Sequence, residues 1–276
     1  MHLQKASRKK AKIKMCLQGP SGSGKTYSSL LLAKSLCENW SSVAVIDSEN
    51  QSAELYSHLG DYNVIQLEAP FTPEKYIQAI RLCEQSGIEV IIIDSITPEW
   101  EFILEAHASL AGNSFTNWQK VGLRHKAFIQ AILSSKSHII ATVRTKQDYV
   151  LNEKKGKLVP EKVGLKAVQR EGLDYEFTLV FDLNIKNKAT ASKDRTGIFF
   201  GMPEHIIGVE TGKALLNWCN EGNDITVSEV SNKIDNCKTI SELITLYHEV
   251  PQFNESLKPD FEKKKRELII NNEIIK

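Results

Sequence analysis

The chain has few of the residues that staple, anchor or strongly charge a protein. Five cysteines (Cys16, Cys37, Cys83, Cys219 and Cys237) are spread over 276 residues, and no two stand in C-x-x-C spacing. An odd, unpatterned set argues against a disulfide framework and a zinc site, and it suits reduced thiols in the cytoplasm. Net charge is almost absent: 35 Lys and Arg stand against 34 Asp and Glu, giving +1. The whole chain is therefore no polycation, and nucleic-acid binding would have to come from local patches. No run is apolar and long enough to predict a membrane span, and the basic N-terminus is not followed by the apolar stretch of a signal peptide. His107, His125 and His138 lack metal-ligand spacing and are expected as packed or surface residues. No internal repeat is visible. Composition is otherwise ordinary, with 41% hydrophobic and 25% charged residues. The length suits one large domain with a small appendage.

What the chain does have is Gly19-Pro20-Ser21-Gly22-Ser23-Gly24-Lys25-Thr26. This fits G-x-x-x-x-G-K-[ST], the phosphate-binding loop of nucleoside triphosphatases. Glycines let the backbone turn so that successive N–H groups face the β- and γ-phosphates. Lys25 places a point charge on those phosphates, and Thr26 offers a hydroxyl to Mg²⁺. The helix that follows, with Tyr27 in its first turn, directs its positive end at the anion. Ile13, Met15 and Leu17 alternate with polar residues before the loop and read as a strand, in which Cys16 is a small buried hydrophobe. Leu30 to Ala33 and Leu36 after the loop read as a helix. A glycine-rich turn without a ligand would leave the Lys-Thr pair unexplained.

Further strands are expected at Val43–Ile46, Val64-Ile65, Glu89–Ile93, His138–Val143 and Phe177–Leu183. Helical spacing fills 25–38, 73–86 and about 116–135, the last with Trp118, Val121, His125, Phe128 and Ile132 at three- and four-residue steps. Apolar strands alternating with helices predict an α/β fold, a mostly parallel sheet covered on both faces. Ligands of such sheets sit at the carboxyl ends of the strands. Residues 144–170 break the pattern, with eight basic residues (among them Arg144, Lys146, Lys154, Lys155 and Lys157) against three acidic ones and weak apolar periodicity. They read as a long basic loop, and loops of this length inside a domain tend to be functional or disordered. A solvated loop is the bland alternative. The break near Asn220–Asp224 is followed only by helical pattern, at 225–236, 239–249 and 255–270. The expected organisation is thus an ATPase-type domain over 1–222 and a helical appendage over 223–276. The domain would carry a basic N-terminal arm over 1–14, with Lys5, Arg8, Lys9, Lys10, Lys12 and Lys14.

A triphosphatase needs a carboxylate in the metal shell and a group that orients water. Asp94 ends an apolar strand, the place for the metal carboxylate. Ser95 follows it, so the glutamate that often stands there is missing. Glu49, just past the Val43–Asp47 run, is the next position from which a carboxylate could hold a water in line with the γ-phosphate. Asp47 is its alternative, and Glu99 a weaker one, since Thr97-Pro98 opens a helix leading away.

Taken together, G-P-S-G-S-G-K-T, I-D-S-E, I-I-I-D-S, Asn117–Lys120, His138–Lys146 and Lys193–Gly197 resemble the RecA-like ATPases of bacteriophages and prophages, the Sak group linked to single-strand annealing and recombination. The resemblance spans about residues 10–215. It implies a RecA-like P-loop core, ATP with Mg²⁺ as ligands, and Glu49 as catalytic carboxylate. It places Thr142 at the γ-phosphate-sensing position, where relatives carry Gln or Asn with longer reach. It makes 144–170 the DNA-binding loop, with Arg144, Lys146, Lys154, Lys155 and Lys157 on phosphates and Tyr149, the one aromatic there, for base stacking. Lys193 and Arg195 would be presented to a neighbouring subunit's γ-phosphate, which requires a ring or filament; an exposed charged turn is the alternative. Single-stranded DNA, further copies of the chain and a single-stranded DNA-binding protein are the implied partners. A nucleotide-gated loading or partner-binding factor is a second reading. A small-molecule kinase is a third, opposed by the lack of an arginine-rich lid.

Overall fold

The computed structural model describes residues 11–154, 157–221, 227–250 and 253–274, with side chains described outside 147–164, 249 and 270–274. They fall into two compact units, one within Lys10–Glu221 and one after it. In the first, strands β1 (Lys14–Gly19), β2 (Val43–Asp47), β3 (Asn63–Gln66), β4 (Val90–Asp94), β5 (His138–Lys154), β6 (Lys157–Ala167), β7 (Leu179–Leu183), β8 (Lys188–Asp194) and β9 (His205–Ile206) build one sheet. Its order is β3-β2-β4-β5-β1-β7-β8-β9, with β6 paired to β5 alone. The strands from β3 through β7 in that order run parallel, β8 runs antiparallel to β7, and β9 runs antiparallel to β8.

Both faces of the central parallel strands are covered, which is why β2 and β4 are apolar up to their terminal aspartates. Alternate side chains go to opposite faces. Met15, Leu17, Val45, Ile92, Ile140 and Phe181 form one core with Leu30 and Leu32 of helix α1 (Lys25–Leu36). Cys16, Ile46, Ile91, Ile93 and Ile139 form the other with Ile80 of α2 (Pro73–Gln85) and Phe128 of α4 (Ser114–Ser134). Cys16 is buried as expected of a small hydrophobe, and burial pushes its thiol pKa up. Helix starts follow local chemistry. Thr72 Oγ1 accepts from Lys75 N (3.4 Å) with Pro73 opening α2, and Asn113 Oδ1 accepts from Phe115 N (2.9 Å) at the head of α4. Between them lies α3 (Thr97–Ser109), and α5 (Val209–Asn220) packs on α1 so closely that a Cβ on Gly212 would fall 2.3 Å from Ser35 Cβ.

Most of the stretch expected as a long loop is instead strand, in β5 up to Lys154 and in β6 over Lys157–Ala167. β5 runs on past the sheet and returns as β6, an antiparallel ribbon registered from Thr145↔Ala167 to Lys154↔Lys157, with a register shift between Asp148 and Tyr149. Apolar alternation is weak along these residues, so the sequence does not mark the strands. Lys155 lies outside the described residues. Lys14, grouped with the basic arm in the sequence, is buried at 6% exposure, and its Nζ donates to Ser135 O (2.8 Å) and to Ser137 O. Burial lowers its pKa to about 8. The arm before residue 11 also lies outside the described residues.

In the second unit, α6 (Val227–Asn236), α7 (Ile240–Glu249) and α8 (Lys258–Ile274) close around Val230, Ile234, Leu243, Leu246, Val250, Leu257, Phe261 and Leu268. Among the described residues no helix is long and apolar enough to cross a membrane.

Candidate functional site

The loop between β1 and α1 sits at the carboxyl edge of the sheet. Gly24 holds φ +80°, and a Cβ there would lie 2.9 Å from Asn187 Nδ2; one on Gly19 would lie 2.6 Å from Leu183 O. Only glycine meets both demands without strain or clash. Ser23 N–H donates to Pro20 O (3.3 Å), and Lys25 Nζ donates to Gly19 O and Pro20 O (2.9 Å each), curling over the loop. Burial lowers the Lys25 pKa, against the pull of Asp94 and Glu49. Ser23 Oγ is buried without a hydrogen-bond partner among the described residues.

A cleft of about 470 Å³ opens beside this loop. Ser21, Gly22, Gly24, Lys25 and Thr26 form one wall, and Glu49, Asp94 and Arg144 stand opposite. Tyr56 also lines it and packs on the half-exposed Tyr27, ring centroids 5.9 Å apart. The cleft and its donors fit a nucleoside triphosphate. The cradle has the glycines, a half-buried cation and the unpartnered Ser23 hydroxyl; the hard oxygens of Thr26 and Asp94 suit Mg²⁺.

Asp94 ends β4 and is 2% exposed. Its Oδ2 accepts from Thr26 Oγ1 (2.5 Å), and its Oδ1 accepts from Thr142 Oγ1. Burial raises the carboxyl pKa, and these two hydroxyls oppose the rise. β5 stands between β1 and β4, so Thr142 reaches Asp94 from the neighbouring strand. Thr142 is fully buried there, and its hydroxyl donates to the carboxylate.

Asp47 and Glu49 part in role. Asp47 is fully buried and accepts from Glu49 N (2.6 Å) and Ala53 N (2.9 Å), which shapes the turn after β2. That turn aims Glu49 into the cleft. Glu49 Oε1 accepts from Ser95 Oγ (2.6 Å) and Arg144 Nε (2.8 Å), and Oε2 accepts from the Arg144 guanidinium as well. The carboxylate in turn raises the Arg144 pKa. Glu99 is buried against His125, with 3.0 Å between carboxylate and Nδ1, and does not line the cleft.

Other expected site residues lie elsewhere. β8 runs antiparallel to β7, which sets Lys193 and Asp194 opposite Val180 and Leu179, at the end of the sheet away from the loop. There Lys193 Nζ donates to Asp174 O (2.7 Å) and Arg195 Nη2 donates to Tyr175 O (2.9 Å). Neither can reach the cleft of its own chain. Lys146, Tyr149, Lys154 and Lys157 fall on the ribbon; Lys146 is exposed. Arg144 stands at the ribbon's base and turns into the cleft, so its described position is not that of a free phosphate contact on the ribbon. Two contributors escaped sequence reasoning. Asn187, in the left-handed region at φ 59°, donates from Nδ2 to Gly22 O (3.1 Å) and braces the loop. Ser95 holds Glu49. Only an Asn in a tight turn between strands hinted at the first.

The parallel sheet, the phosphate loop and the carboxylates facing it define a P-loop nucleotide-binding domain. The AAA domain family matches residues 11–215, and the chain belongs to that family of P-loop ATPases. No curated protein matches the chain.

Proposed function

We propose that this chain is a RecA-like ATPase of the phage and prophage Sak type. It binds ATP with Mg²⁺ and couples hydrolysis to single-stranded DNA during recombination or annealing in the cytoplasm. The observation that carries the reading is a continuous connection. β5 passes from Thr142, bonded to the metal carboxylate, through Arg144, paired to the water-positioning carboxylate, into the basic ribbon. Lys25 and the loop N–H groups hold the β- and γ-phosphates. Thr26 Oγ1 and Asp94 would hold Mg²⁺, which supplies positive charge against the phosphate oxygens. Glu49 orients a water and takes its proton as the water oxygen bonds to the γ-phosphorus and the bond to the ADP oxygen breaks. The ribbon, with Lys146, Lys154 and Lys157, lies on the DNA backbone, and Tyr149 is its stacking group. Lys193 and Arg195 serve a neighbour's site in a ring or filament, since their own lies across the sheet. A single-stranded DNA-binding protein is the partner proposed for this setting.

One observation favours a nucleotide-gated partner-binding factor as second reading. The helical unit carries an apolar groove of about 370 Å³ formed by Ile240, Leu243, Ile244, Tyr247 and Phe261, with Ile244 and Tyr247 exposed. ATP turnover measured with and without single-stranded DNA across a salt series separates the two. Stimulation that fades as salt rises supports the first. A rate indifferent to DNA sinks it in favour of the second.

A further inference from the structure

The pairing of Glu49 with Arg144 raises a chemical difficulty. A carboxylate that is to take a proton from water needs an open lone pair, yet Glu49 Oε1 already accepts from Ser95 and Arg144 and Oε2 accepts from the guanidinium, which leaves one lone pair, on Oε2 and beside a cation. Resting geometry therefore hinders the base. The residue hindering it is well placed to do something else. In the sheet register Arg144 pairs with Gly19, the first residue of the phosphate loop. Its backbone is pinned on both sides, its N–H donating to Thr97 Oγ1 (3.0 Å) and its carbonyl accepting from Val168 N (2.8 Å). Its side chain is 46% exposed at the mouth of the cleft that Lys25 and Thr26 line, so solvent and a ligand in the cleft can reach it. The threonine expected to sense the γ-phosphate is buried and spent on Asp94.

We propose that Arg144 is the γ-phosphate sensor of this chain, exchanging its grip on Glu49 for the terminal phosphate of a nucleoside triphosphate and thereby releasing the catalytic base. The inference rests on the nucleotide-site reading given above. A guanidinium binds a phosphate through the same planar two-donor geometry it uses on a carboxylate, and a γ-phosphate brings more negative charge than Glu49. A nucleoside diphosphate lacks that group and leaves the ion pair closed. Because Arg144 directly precedes Thr145, the first residue of the ribbon, the exchange would be felt at the ribbon's base and, in reverse, contacts on the ribbon would bias it.

The test is equilibrium binding of ADP and of a non-hydrolysable ATP analogue, each with Mg²⁺, to the intact chain and to Arg144→Ala, Arg144→Lys, Glu49→Gln and the Arg144→Ala/Glu49→Gln double variant. Arg144→Ala should lose at least tenfold in affinity for the triphosphate while its ADP affinity stays within about threefold, and turnover should fall. Arg144→Lys should recover part of the preference. Glu49→Gln frees the guanidinium and should tighten the triphosphate alone, a gain that disappears in the double variant. An unchanged triphosphate preference in Arg144→Ala, or faster turnover, overturns the proposal, since Arg144 would then only restrain Glu49. The same holds if the Glu49→Gln gain persists in the double variant. Failure of the wild-type chain to bind either nucleotide would instead sink the nucleotide-site reading beneath it.

Discussion

At the scale of single residues, the cleft divides labour among groups whose environments differ sharply. Lys25 is held over the loop by two backbone carbonyls and its charge is already disfavoured by burial, so an arriving phosphate relieves it. Lys25→Ala should therefore weaken nucleotide binding at least about thirtyfold, the loss of a charged hydrogen bond worth roughly 2 kcal/mol. Titration with a fluorescent ATP analogue measures it; retained affinity would remove Lys25 from the site. The loop and Asp94 were legible in the sequence because their spacing is dictated by a ligand of fixed shape. Thr142, Ser95, Arg144 and Asn187 were not legible in their observed contacts. What they do depends on which strands lie side by side, a long-range fact that local pattern does not carry. Arg144 shows this well: in sequence it is one more cation in a basic stretch, and only the β5–β1 register puts it next to Gly19.

At the scale of elements, the parallel strands announce themselves because their apolar residues pack into cores on both faces, while the β5–β6 ribbon is hidden because its apolar alternation is weak. Helix α5 was also missed, since its contact with α1 depends on the close approach at Gly212 and not on a broad apolar stripe. The ribbon can be cut without touching the sheet. Replacing residues 148–164 by Asn-Gly keeps the pairing of Gln147 with Leu165 and closes the ribbon with a two-residue turn. DNA binding and DNA-stimulated turnover should disappear while ATP affinity is retained. Mobility-shift and nucleotide-binding measurements on the same preparation check this, and undiminished DNA binding would move the nucleic-acid surface elsewhere.

At the scale of the whole molecule, stability depends on the sheet edge opposite the cleft. His138 is 3% exposed and its Nδ1 accepts from Ile13 N (3.3 Å), so the ring is neutral there; burial and the nearby Lys12 and Lys14 lower its pKa to about 3. The unfolded chain binds a proton near pH 6.5 that the folded chain refuses. This contribution is full above pH 6.5 and is lost as pH falls toward 3, at no more than about 1.4 kcal/mol per pH unit. Chemical denaturation at pH 7, 6 and 5 should show that loss, and His138→Asn should flatten it; a slope unaltered by the substitution would assign the pH dependence to other groups.

We propose that the cleft beside Gly19–Thr26 hydrolyses ATP with Glu49 as base. This is tested most directly by single-turnover phosphate release at saturating Mg²⁺ and ATP, comparing the wild-type chain with Glu49→Gln, alongside nucleotide binding by both. Glu49→Gln should bind ATP at least as well as wild type and release phosphate about a hundred- to ten-thousandfold more slowly. Turnover by Glu49→Gln at the wild-type rate would contradict it.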